Sequence, residues 1–191
     1  MTSKTNNLKA TLALSTDWLK KSVEQTRRIG YPQACLVGAE ALTRVVQKFD
    51  EERLMLTLEA LPKDMRSDII DTPNREGIPA MVFAASLTKA DDALAASSML
   101  LEHRGSATAM QTTSKDTPLH EACKRAHWDV VRILIAAGAD ITIRNNKKAL
   151  CYNLDKDFAE CRRMEMFVWS DTSPPFLPLP VTMVVKPLLK T

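Results

Sequence analysis

Residues 116–140, DTPLHEACKRAHWDVVRILIAAGAD, constrain the fold of this chain more than any other stretch. Asp116 and Thr117 are helix-capping residue types, and Pro118 falls in the first turn, where a missing N–H costs nothing. Leu119, Ala122 and Cys123 then share one face of a short helix. His127 opens a second helix, in which Val130, Val131, Ile133, Leu134 and Ile135 form a broad apolar stripe. Gly138 follows, where a left-handed residue ends a helix. Two short antiparallel helices with one apolar side each cannot stand alone, so this pair predicts neighbours stacked against it.

The stretch resembles an ankyrin repeat. Thr117-Pro118-Leu119-His120 matches the TPLH tetrapeptide, Ala122-Cys123 the paired small residues, and His127 the histidine that opens the second helix. Val130-Val131 and Gly138-Ala139-Asp140 match the paired aliphatics and the closing GAD. The resemblance implies an all-α, ankyrin-repeat solenoid of stacked helix-turn-helix units, with finger-like turns and a concave protein-binding face. Two residues depart from it. Lys115 stands at the turn glycine and Ala126 at the helix-turn glycine, each costing on the order of 1 kcal/mol if its φ is positive.

A second unit lies on the same template. Gly77 takes the turn glycine, Ala84-Ala85 the paired small residues, and Pro79-Ala80-Met81-Val82 replaces TPLH. Gly105 precedes Gly138 by 33 residues, but Ala84 and Ala122 are 38 apart, so about five extra residues are expected in a loop near Thr88 to Asp92. Upstream, helices are expected around Leu8, Leu12, Trp18, Leu19 and Val23, over Gln33 to Phe49, and over Glu51 to Leu61. These make residues 1–72 a degenerate helical N-terminal cap or ankyrin-like unit, with repeats and a C-terminal capping unit over 73–169. The capping unit begins at the turn Arg144 to Lys148 and carries polar Asn153 and Asp155. Residues 170–191 hold five of the ten prolines and predict an extended tail.

Composition agrees with the helical class: 45% of residues are apolar, 5% aromatic, and only five are glycine. A net charge of +3, with no aromatics interleaved among basic runs, argues against nucleic acid. Cys35, Cys123, Cys151 and Cys161 show no CxxC pair and read as reduced thiols of a cytoplasmic chain. Leu8 to Leu14 is broken by Lys9 and two threonines, so neither a secretory signal nor a membrane span is expected.

Catalytic and metal chemistry find little support. No GxSxG, P-loop or HExxH motif occurs, so no catalytic residues are expected. His120, Cys123 and His127 have ligand-like spacing, but they straddle the helix-helix turn, so neither metal nor cofactor is expected. Pro175 to Pro178 has PxxP spacing without a flanking arginine. The remaining candidates are exposed residues on rigid supports, at the positions the resemblance assigns to binding. They are Arg75, Glu76, Ile78, Ser86, Leu87, Thr113, Ser114, Asp116, Lys124, Arg125, Asn146 and Lys147, with Trp128 added as an interfacial anchor. The function this implies is a non-catalytic adaptor for a protein partner, without small-molecule or membrane ligands. The alternatives are an assembly subunit or host-directed secreted effector using the Pro-rich tail, and a cryptic metal protein.

Overall fold

Alanine and cysteine at the paired small positions allow one helix to pack between two others. The computed structural model describes residues 16–151, and all regular structure among them is helical. The helices are α1 (residues 16–27), α2 (Tyr31–Gln47), α3 (Glu51–Ala60), α4 (Arg66–Asp71), α5 (Ala80–Ala85), α6 (Ala90–Glu102), α7 (Pro118–Lys124) and α8 (Trp128–Ala136). α5 packs between α2 and α7, and α6 lies against α3 and α8, giving an inner row α2-α5-α7 and an outer row α3-α6-α8. Ala80, Ala84, Ala85 and Ala122 are fully buried between the rows, beside Met81, Leu100, Leu119 and Leu134. This is the stack of helix pairs expected from the sequence.

α2 and α3 pair as the helices of a repeat do, but with different dimensions. α2 is 17 residues long, against six in α5 and seven in α7. Its later half gives Leu42 and Val46 to the main core, whereas Ala34 and Cys35 join a second cluster with Leu19, Val23, Leu61, Met65 and Ile69. Leu19 and Val23 are buried as expected from α1, but Trp18 is 65% exposed. α4 was not foreseen. Its N-cap, Met65, makes no side-chain capping bond, so tertiary contacts hold it. The Asp71 carboxylate accepts the Ser106 N–H at 2.7 Å, and Arg66 donates to His103 Nδ1 at 3.1 Å and to the Leu61 carbonyl at 3.1 Å. Ile69 and Ile70 then plug one cluster each.

The extra residues of the second unit are not in a loop. Ala85 to Ala90 and Cys123 to Trp128 are equal connections, while α6 has 13 residues and α8 has nine. Four added residues therefore form one more helical turn, which keeps the apolar face in register. The insertion is thus four residues, and a count of five follows only from pairing Gly105 with Gly138. Arg104 (φ 67°), not Gly105, occupies the left-handed position that Gly138 (φ 88°) takes after α8. The bonds agree: Gly105 N–H reaches the Leu100 carbonyl, as Ala139 N–H reaches that of Leu134, both at 2.9 Å. Gly105 is needed for space instead, because a Cβ there would stand 2.7 Å from Ile70 Cγ2 and 2.9 Å from the Leu100 carbonyl oxygen.

The expected helix before residue 16, the polar capping residues Asn153 and Asp155, and the Pro-rich tail lie outside the described residues. No helix among the described residues is long and apolar enough to cross a membrane. Arg104→Gly is expected to raise stability by about 0.5–1 kcal/mol by relieving the left-handed backbone. Gly105→Ala should lower it by about 1–3 kcal/mol through overpacking. Urea denaturation of both variants checks the assignment, and the opposite signs would reverse it.

Candidate functional site

Each inner helix is entered through a tight turn, and three such tips lie side by side. In the first, Asn74 Oδ1 accepts the N–H groups of Glu76 and Ile78 at 3.0 Å each, and Gly77 takes φ 78°. In the third, Asn145 Oδ1 accepts those of Lys147 and Ala149 at 3.0 Å each, and Lys148 takes φ 57°. This is one Asx-type turn used twice. The middle tip is a residue longer: Gln111 N–H bonds the Asp116 carbonyl, whereas Asn74 bonds Ile78 and Asn145 bonds Ala149. Ser114 Oγ fills the extra room by accepting the Asp116 N–H at 3.1 Å and donating to Gln111 Oε1 at 2.8 Å. Lys115 (φ 59°) and Ala126 (φ 56°), which stand at glycine positions of the template, both have positive φ.

Main-chain bonds join the tips into one ridge. Thr112 N–H donates to the Gly77 carbonyl at 2.8 Å, and Asn146 N–H to the Ser114 carbonyl at 2.9 Å. The Asn146 amide also donates to the Thr113 carbonyl. At the N-terminal end, Glu40 of α2 accepts the Arg75 N–H at 2.7 Å and lies 3.9 Å from the guanidinium groups of Arg75 and Arg44. The ridge thus runs from α2 to the third tip.

Of the predicted binding residues, Arg75, Glu76, Thr113, Arg125, Asn146 and Lys147 are exposed, and Ile78, Ser86, Leu87 and Ser114 half-buried. Leu87 and Trp128 pack on the main core. Asp116 has a different position from the one expected. It is only 5% exposed, accepting from Lys124 Nζ and from Asn145 Nδ2 at 2.8 Å each. Lys124 also bonds Glu121 at 2.6 Å. Burial alone would raise the Asp116 carboxyl, but the bonds from Lys124, Asn145 and Ser114 outweigh it and hold its pKa below 3.8. Burial likewise opposes charge on Lys124, and the two carboxylates hold its pKa above 10.5. The pair therefore ties the middle tip to α7 and, through Asn145, to the third tip. Sequence missed it because the partners lie 8 and 29 residues from Asp116.

His120 locks the same turn from inside. The Ala149 carbonyl, 3.2 Å away, can only accept, so Nε2 carries the proton. Nδ1 is then the acceptor for the Thr117 N–H at 3.2 Å and the Thr117 hydroxyl at 2.7 Å. His120 thus uses both ring nitrogens within the fold. Among the described residues no three His, Cys, Asp or Glu side chains are grouped to hold a metal.

Two measurements check these contacts. Asp116→Asn should cost about 1–3 kcal/mol in urea denaturation, because Lys124 loses its buried counter-charge; an unchanged midpoint would contradict the tie. Burial, opposed by the Ala149 carbonyl and Asp116, holds the His120 pKa below 6.5, and burial acts likewise on His127. Neutral rings therefore stabilise the fold above pH 6.5, and this is lost as pH falls from 6.5 through the lower folded values. The melting temperature should drop between about pH 7.5 and pH 5.5. The drop should shrink in His120→Asn, which keeps an acceptor for the Thr117 N–H; an equal drop would remove His120 from the account.

Residues 114–146 match the family model for the ankyrin repeat, which is 33 of the 191 residues. No curated protein matches the chain. The matched segment spans α7, α8 and the turns on either side of them, so this part of the chain is an ankyrin repeat, and further helices stack against it.

Proposed function

We propose that the protein is a non-catalytic interaction module that holds a protein partner against the turn tips and the adjoining ends of the inner helices. The observation that carries this reading is the bonded ridge. The main-chain groups of Gly77, Thr112, Ser114 and Asn146 are used in tip-to-tip bonds, while the side chains of Arg75, Glu76, Thr113 and Lys147 project from the tips and are exposed. Side chains on a braced backbone lose little further freedom on binding, so contact energy is not consumed in ordering the surface.

Within this face, Arg75, Glu76, Ile78, Thr113, Ser114, Asn146 and Lys147 supply the tip contacts, and Ser86, Leu87 and Arg125 those beyond α5 and α7. Trp128 supports the face by packing against the core. Asp116 and Lys124 act beneath it as an internal brace, so their substitution would disturb the surface rather than probe it.

Photo-crosslinking in source-cell lysate tests the reading, with a benzophenone amino acid placed in turn at Glu76 and Thr113 on the tips and at Ala136 at the end of outer helix α8. All three positions are exposed. One protein species is expected to crosslink from Glu76 and Thr113 and not from Ala136. Crosslinking from Ala136 alone would move the binding face to the outer row.

A further inference from the structure

We propose that the tip ridge recognises an acidic segment of a protein partner, through Arg75, Lys115, Lys147 and Lys148. This rests on the tips being the binding face. The first observation is the segregation of charge. The three tips and their flanks carry Arg44, Arg75, Lys115, Arg144, Lys147 and Lys148, all exposed. Against them stand Glu40, already beside Arg44 and Arg75, and Glu76, while Asp116 is buried on Lys124. Acidic residues gather at the starts of the outer helices, as Asp50, Glu51 and Glu52 at α3 and Asp91 and Asp92 at α6, interleaved there with Lys48, Arg53 and Lys89, whose ammonium lies 3.8 Å from Asp92. A whole-chain charge of +3 conceals this separation.

The second observation concerns the backbone. Gly77, Lys115 and Lys148 hold the same left-handed position in the three tips, with φ of 78°, 59° and 57°. Glycine adopts that conformation freely and lysine does so at a cost. Lys115 also stands two residues before Thr117, the N-cap of α7, at the helix end where positive charge is disfavoured. Neither backbone preference nor helix electrostatics accounts for lysine there. At Lys115 and Lys148 this costly backbone sets a cationic side chain on an exposed tip. Among the described residues, Lys115, Lys147 and Lys148 make no ion pair.

Nucleic acid would meet the same charge, but the observations favour carboxylates. Residues 74–78, 111–116 and 145–149 contain no Phe, Tyr, Trp or His on which a base could stack. The tips are short turns rather than a helix or ribbon shaped to enter a groove.

The test is fluorescence anisotropy of the full chain with a labelled decaglutamate, a neutral Ser-Gly decamer and a ten-nucleotide oligothymidine. An extended decamer spans about 33 Å, enough for three tips roughly 10 Å apart. Decaglutamate is expected to bind most tightly, weakening about fivefold between roughly 50 and 200 mM salt as screening grows. Lys115→Gly/Lys148→Gly should weaken it about tenfold while raising the urea midpoint, so lost binding is not lost folding. Equal affinity for the neutral decamer, unchanged binding by the variant, or tighter oligothymidine binding would each overturn the proposal. Crosslinking from Glu76 and Thr113 that persists after such a result would leave the binding face standing and remove only the acidic partner.

Discussion

The structure depends on α5 having two apolar neighbours at once. Its six residues bury Ala80, Met81, Val82, Ala84 and Ala85, on sides facing both α2 and α7. A helix this short has no stability of its own in water, since nucleation outweighs the few bonds it closes. Only stacking supplies the missing burial, and small side chains let the three inner helices approach closely. α7 shows the same dependence, with Ala122 and Cys123 against α5 and a capping box at Thr117 and His120. The tips follow from this spacing, because turns entering closely packed helices come near enough to exchange main-chain bonds.

What was legible in the sequence was chiefly local. Thr117 and His120 are three residues apart, so their capping box was carried by the tetrapeptide itself. Lys115 and Ala126 stand where the template has glycine, which marked both as positions to check for positive φ, and both have it. α7, α8, α2 and α3 were visible from apolar spacing, with the ends of α2 and α3 displaced by no more than two residues, whereas α5 and α6 were visible through their match to the repeat template.

What was not legible depended on distant partners or on length without a pattern. α4 has six residues and no capping side chain, and Asp71 and Arg66 hold it by reaching residues after α6. Asp116 read as an exposed tip residue because nothing near it in sequence announces Asn145. The sequence points to a loop for the insertion because loops usually accept extra residues. A helix accepts four almost as readily, since four is close to one turn and leaves the buried stripe facing the core. Arg104 stands two residues past α6 as Gly138 stands two past α8, so matching glycine to glycine gave the wrong equivalence.

The central claim is that the tips form a rigid, mutually bonded platform rather than three independent loops. Native-state hydrogen exchange of the Thr112 and Asn146 amides tests it most directly, because each is held by a carbonyl of the neighbouring tip. Both residues are exposed, so burial does not protect them. Slow exchange, with opening free energies approaching those of the amides in α5 and α7, is the expected result. Exchange at the rate of an unstructured peptide, with α5 and α7 still protected, would contradict the platform and the binding face built on it.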